Sequence, residues 1–179
     1  LLAVQAFGYE EEDLARLRST SKCVKCDLSE ADLGGALLMG ASLISANLTG
    51  AKLQGTNLTN ADLTNANLSE ANMANANLFG ANLVGTNLTE TNLNQADLSW
   101  ADLSEANLRG ANLSKTDFTK ANLSRANLRE TKLQKSDLRG ADLRGAVLTA
   151  AYLNEANFDG ADLRKANLYR ASMRGATLC

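Results

Sequence analysis

The chain has 179 residues with 18 basic and 20 acidic side chains, no His and no Pro. At ~150 residues per domain that is one domain, or one and a half. A net charge of −2 gives no whole-molecule field that recruits nucleic acid or an anionic membrane, and the lack of His removes the usual general base and the commonest neutral metal ligand.

Eight aromatic residues (four Phe, three Tyr, one Trp) are too few for an ordinary mixed core. No run reaches the ~18 apolar residues of a membrane span. In chain order, Leu1-Leu2-Ala3-Val4-Gln5-Ala6 resembles the tail of a signal peptide, with Val4 and Ala6 as small residues before a cut. Residues 1–8 are expected to be such a remnant, or an apolar arm. Residues 9–21 predict a short capping helix. Glu10, Glu11, Glu12 and Asp13 crowd its start while Arg16 and Arg18 lie toward its end, matching the helix dipole. Leu14 and Leu17 give one apolar edge, and Glu12 and Arg16 are spaced as an (i, i+4) pair. Cys23-Val24-Lys25-Cys26 joins the helix to the first repeat, so residues 9–25 read as one cap.

From Leu28 to Leu178 a large apolar residue recurs every five positions, 31 times; Met73, Phe118, Phe158 and Met173 replace Leu. Two residues earlier stands Ala in 24 units, and between them Asn or Asp in 23. A helix turning ~100° per residue scatters such leucines around its surface. In a straight strand an odd step flips each one to the opposite face. A three-residue extended segment followed by a corner does work. Ala and the large residue then point inward together, the Asn or Asp points out, and two variable residues turn the chain. Gly at the second of them, as at Gly50, Gly55, Gly80, Gly110 and Gly140, suits a left-handed φ. The product is a solenoid with an interior of stacked Leu and Ala, each coil bonded to the next at ~4.8 Å. No 20-residue period marks the corners.

The unit Ala-Asn/Asp-Leu-x-x, from Cys26 to Cys179, resembles the pentapeptide-repeat family. The resemblance implies an all-β fold, a right-handed quadrilateral β-helix with four units per coil, here with a short N-terminal capping helix. Residues 26–179 form that β-helix, roughly 37 Å long at ~4.8 Å per coil. With four units per coil Phe118 and Phe158, 40 residues apart, lie on one face two coils apart as core wedges. For Cys23 and Cys26 three readings compete. Zinc wants about four N/S ligands, and this chain has three Cys and no His. A redox centre wants a thioredoxin-like context. The third is a disulfide stapling the cap to the coil, which is what exported members of the family imply by a similar cysteine pair; Cys179 then stays free. At the C-terminus the repeat runs to Cys179 with no comparable cap, which reads either as a truncated chain or as an edge open to end-to-end pairing with a second rod.

No Ser–His–Asp, Walker, zinc or calcium-solenoid motif is present, so neither catalysis nor a cofactor or metal is expected. The Asn and Asp rows read as corner-forming groups that bond nearby backbone. Charge is uneven: residues 1–100 hold 5 basic and 11 acidic groups, residues 101–179 hold 13 and 9. With four units per coil, Arg109 stacks on Arg129, Lys115 on Lys135 and Arg144 on Arg164, rows suited to an acidic partner. Lys52, Lys132, Val147 and Tyr152 occupy outward slots, Trp100 and Phe79 expose aromatics, and Val147, Ala150, Ala151 and Tyr152 form an apolar patch. The expected function is a noncatalytic structural or protein-interaction rod, exported to a thylakoid lumen or periplasm, with an unidentified protein partner and neither nucleic acid nor membrane. The resemblance also implies an alternative, a DNA mimic that binds type II topoisomerase (gyrase), as some quinolone-resistance members do.

Overall fold

The computed structural model describes residues 8–179; the export signal expected at the N-terminus lies outside the described residues. Helix α1 spans Glu11–Thr20, with Glu10 extended before it and Ser21 in the left-handed region (φ 56°) after it. The chain then winds. Every outward-pointing residue bridges, in parallel, the residue twenty positions on, from Lys22 with Ser42 to Asn157 with Thr177. One coil is therefore 20 residues, four five-residue units separated by four turns.

The coils run 22–41, 42–61, 62–81, 82–101, 102–121, 122–141, 142–161 and 162–179. We number the faces by their outward residues. The first carries Lys22, Ser42, Asp62 and so on; the second carries Asp27, Asn47, Asn67; the third Asp32, Lys52, Asn72; the fourth Leu37, Asn57, Asn77. Each corner takes the number of the face it follows. Winding begins one unit before Cys26, because Ser21-Lys22-Cys23-Val24-Lys25 is already a repeat with Cys23 in the large-residue slot.

In an inner unit with Asn or Asp at its middle all five backbone N–H groups find partners, and the repeat follows from how. In the unit 66–70, Asn67 N–H donates back to the Ala46 carbonyl (2.9 Å), while Leu68 and Glu70 donate forward to Asn87 (2.7 Å) and Thr89 (2.9 Å). Ala66 closes the preceding corner on Leu63 (2.9 Å). The fifth, Ser69 N–H, has only a side chain to donate to: Asn67 Oδ1 at 3.2 Å. All 23 Asn and Asp residues at this slot make that bond, an Asx turn that sets the corner. Amides also link coil to coil, as Asn112 Nδ2 to Asn92 Oδ1 (3.2 Å) and Asn92 Nδ2 to Asn72 Oδ1 (3.0 Å).

The large residues and alanines line one dry interior, nearly all fully buried through Phe158; Phe118 and Phe158 share the fourth face two coils apart. Four of the five Thr in the Ala slot donate their hydroxyl to a carbonyl of the coil before, as Thr56 to Leu33 (2.7 Å), Thr91 to Leu68 (2.7 Å) and Thr116 to Leu93 (2.8 Å), while Thr131 donates to Leu128 of its own coil (2.8 Å). In the last coil Leu163, Leu168 and Met173 are half-buried and Leu178 is exposed.

Helix α1 lies on the first coil through Leu14 and Leu17, both buried. Two bonds tie it to the coil edge: Glu10 N–H donates to the Asp27 carbonyl (3.2 Å) and Asp27 N–H donates to Asp13 Oδ2 (2.7 Å). Arg16 pairs with Asp13 (2.9 Å), at (i, i+3), and not with Glu12 as the spacing predicts, because Asp13 is the acid turned toward the coil. The Cys23 and Cys26 sulfurs stand 2.08 Å apart, both residues buried in adjacent sides of the first coil. The pair thus joins two sides of the first coil beneath α1 and not cap to coil, because Cys23, expected in the cap, already belongs to the coil.

Candidate protein-docking face

Part of the charge is neutralised locally. Arg139 clamps Asp137, Arg144 clamps Asp142 and Arg164 clamps Asp162, each at 2.6 Å. The Arg164 hydrogen bonds hold the Asp162 carboxyl down at about 2, and Arg139 and Arg144 in the same way lower Asp137 and Asp142. Arg144 and Arg164 do stack on the first corner, beside Arg125 and Lys165, around a depression of about 510 Å³. Their acids lie directly beneath, however, and Arg125 reaches Glu105 (3.4 Å), so this row is not a bare cationic surface.

The third face is different. In coils five to eight it and its two flanking corners carry Arg109, Lys115, Arg129, Lys132, Lys135, Arg170 and Arg174 against Glu130 and Glu155, a net +5. The rest of residues 101–179 holds six cations and seven carboxylates. The whole basic excess of that half therefore sits on one side of the rod. In coils one to four the same strip carries Glu30, Asp32, Glu70 and Glu90 against Lys52, a net −3. It reverses sign at mid-length.

This register brings Arg109, Arg129, Lys115, Lys135 and Tyr152 onto the strip, with Lys132 bridged to Tyr152, and leaves Val147 on the neighbouring second face. Val147 and Ala150 are half-buried, Tyr152 is 49% exposed, and Tyr169 lies one coil on with Arg170 over its ring at 5.2 Å. Ala151 leaves the expected patch: it occupies the inward alanine slot and is 1% exposed. Arg109 reaches Glu130 (3.3 Å) and Lys135 reaches Glu155 (3.5 Å), exposed pairs that contribute little. Trp100 lies on the fourth corner, diagonally opposite, under Lys120 Nζ at 4.5 Å.

Sequence reasoning misses Lys132, Tyr169, Arg170 and Arg174 as members of one strip. A signal exists: the departures from Asn or Asp at 52, 132 and 152 differ by multiples of twenty.

Among the described residues the one grouping of metal-ligand type is Asp13 with Cys23 and Cys26, and its sulfurs are turned to each other. No helix among the described residues is long and apolar enough to cross a membrane.

A family model described as Pentapeptide repeats matches residues 21–60, 56–95, 96–134, 106–145, 121–153 and 141–178. No curated protein matches the chain. Among solved structures it is similar to HetL, a pentapeptide repeat protein involved in heterocyst differentiation regulation from the cyanobacterium Nostoc sp. strain PCC 7120. That likeness is 32% identity over 88% of this chain and 89% of that one, TM-score 0.49. It is also similar to trypsin-treated QnrB1, a plasmid-mediated fluoroquinolone resistance protein, at 20% identity over 88% and 79% with a TM-score of 0.58. A third is a pentapeptide repeat protein of the Arabidopsis thaliana thylakoid lumen, at 30% identity over 60% and 68% with a TM-score of 0.29.

Proposed function

The chain belongs to the pentapeptide-repeat family, and from that premise we propose a noncatalytic protein-binding rod that docks acidic protein surfaces along the C-terminal half of its third face. We read the coil as a right-handed quadrilateral β-helix. The observation that carries the reading is the net +5 on that strip, set around a half-exposed Tyr152. Cations around an aromatic anchor suit a carboxylate-rich partner that also brings an apolar side chain. The DNA-mimic alternative wants a continuous acidic rod, and the sign reversal at mid-length argues against it. We further propose that Cys23 and Cys26 are oxidised to a disulfide in an exported compartment, a lumen or periplasm, which close cysteine pairs favour.

The test titrates a fluorescein-labelled peptide of alternating Glu and Leu into the protein and follows anisotropy at 50 and 500 mM salt. Binding should weaken steeply with salt. It should fall at least tenfold in Arg129→Glu/Lys132→Glu and stay unchanged in Lys120→Glu on the opposite corner. Equal binding by all three proteins, or none by wild type, contradicts the docking face.

A further inference from the structure

The strip along the third face and second corner has a property that a binder of foreign acids does not require: one half is net acidic and the other net basic, so that it complements a reversed copy of itself. A two-fold axis lying in the contact plane and crossing the rods at right angles reverses the rod direction. It also sets each corner against its own copy. Coil one then meets coil eight, two meets seven, three meets six and four meets five. On the second corner this places Glu30 opposite Arg170, Glu90 opposite Gly110 with Arg109 beside it, and Glu70 opposite Glu130 with Arg129 beside it. In the remaining pair of coils two small residues meet, Gly50 and Ala150, and on the face itself Lys52 comes over Tyr152. Coils one and four find a cation and coil two an aromatic ring, coil three meets both signs, and the seven ionic groups of the corner are solvent-exposed in the single rod.

We infer that the third face binds a second copy of this chain, side by side and antiparallel, through a self-complementary strip of eight coils. The inference rests on the docking reading of the same face and names its partner. The contact runs roughly 38 Å, eight coils at ~4.8 Å. The face is narrow and its centre, Asn92 against Asn112, is polar, so association depends on charge and weakens with salt. The pairing does not involve either end of the rod. The opposite orientation, parallel rods, sets second corners against third corners; Glu30, Glu70 and Glu90 then meet glycine and amide residues (Gly35, Asn75, Gln95) and gain nothing.

Sedimentation velocity at micromolar protein tests it. Wild type at 50 mM salt should sediment as a dimer and at 500 mM as a monomer. Glu30→Arg and Arg170→Glu, each placing like charges together twice, should each weaken the dimer at least tenfold while far-ultraviolet circular dichroism stays that of wild type. Mixing the two variants should restore a dimer, since at both contacts between positions 30 and 170 an arginine of one copy again faces a glutamate of the other. A wild type that stays monomeric at 50 mM salt overturns the inference. So does a dimer indifferent to both reversals, or a mixture that fails to re-form. A monomeric wild type that still binds the Glu-Leu peptide removes the self-pairing and leaves the docking face standing.

Discussion

Asn and Asp at the middle of each unit look, in the sequence, like a ligand row. In the structure each is an acceptor for the one backbone N–H that the coil leaves over, which is why the residue type recurs. The left-handed second corner residue is less legible. All 31 such positions from Lys25 to Gly175 have positive φ, yet only eleven are Gly, and Trp100 (φ 60°) and Ala150 (φ 56°) are among the rest. Coil-to-coil bonding imposes the conformation on residues that do not seek it, such as Glu105, whose N–H donates to the Ser124 carbonyl (3.0 Å). The Arg–Asp clamps are hidden in the sequence, because Arg144 and Arg164 read as a basic row and their own acids, two residues back, as corner formers. The Arg164 bonds depress the Asp162 carboxyl to about 2. A depressed carboxylate adds stability that is complete above its unfolded value and is lost as pH falls toward 2. An NMR titration of Asp162 should therefore give a midpoint near 2, returning to the ordinary carboxylate range in Arg164→Ala. An unchanged midpoint in that variant means that Arg164 is not the cause.

At the scale of elements, the helix is legible because its signals are local: acids first, bases last, Leu14 and Leu17 on one edge. Its contacts are not. Asp13 works as a substitute coil, accepting the Asp27 N–H that an earlier turn of the solenoid would have taken. That role depends on where the helix lands, which spacing does not encode. The first repeat unit is hidden for a simpler reason: Cys23 stands where a Leu is sought. Removing one partner of a buried hydrogen bond costs about 1–3 kcal/mol, and in a solenoid such a loss stays with its neighbours. Asp13→Ala should thus speed amide exchange in α1 and residues 22–30 and leave coils beyond the third at their wild-type protection. Uniform loss of protection along the rod contradicts this account of the cap.

For the whole molecule, periodicity makes the fold legible and keeps the site hidden. A unit that repeats on four sides alike says that the chain coils but carries no mark of how many units close a coil. The glycines, set by corner geometry one at a time, do not supply one. Once the twenty-residue register is known, the charges of residues 29–175 sort into a strip that changes sign, and the scattered exceptions at 52, 132 and 152 become one face. Docking and self-pairing both stand on that register. Spin labels on Asn65→Cys and Lys165→Cys, in a Cys179→Ser background, read it directly, because both positions are exposed on the first corner and lie five coils apart. Pulsed electron–electron resonance should give a distance centred at about 24 Å, five coils at ~4.8 Å. A distance near ~32 Å, the value for a three-unit coil at the same spacing, would contradict the register and every face built on it.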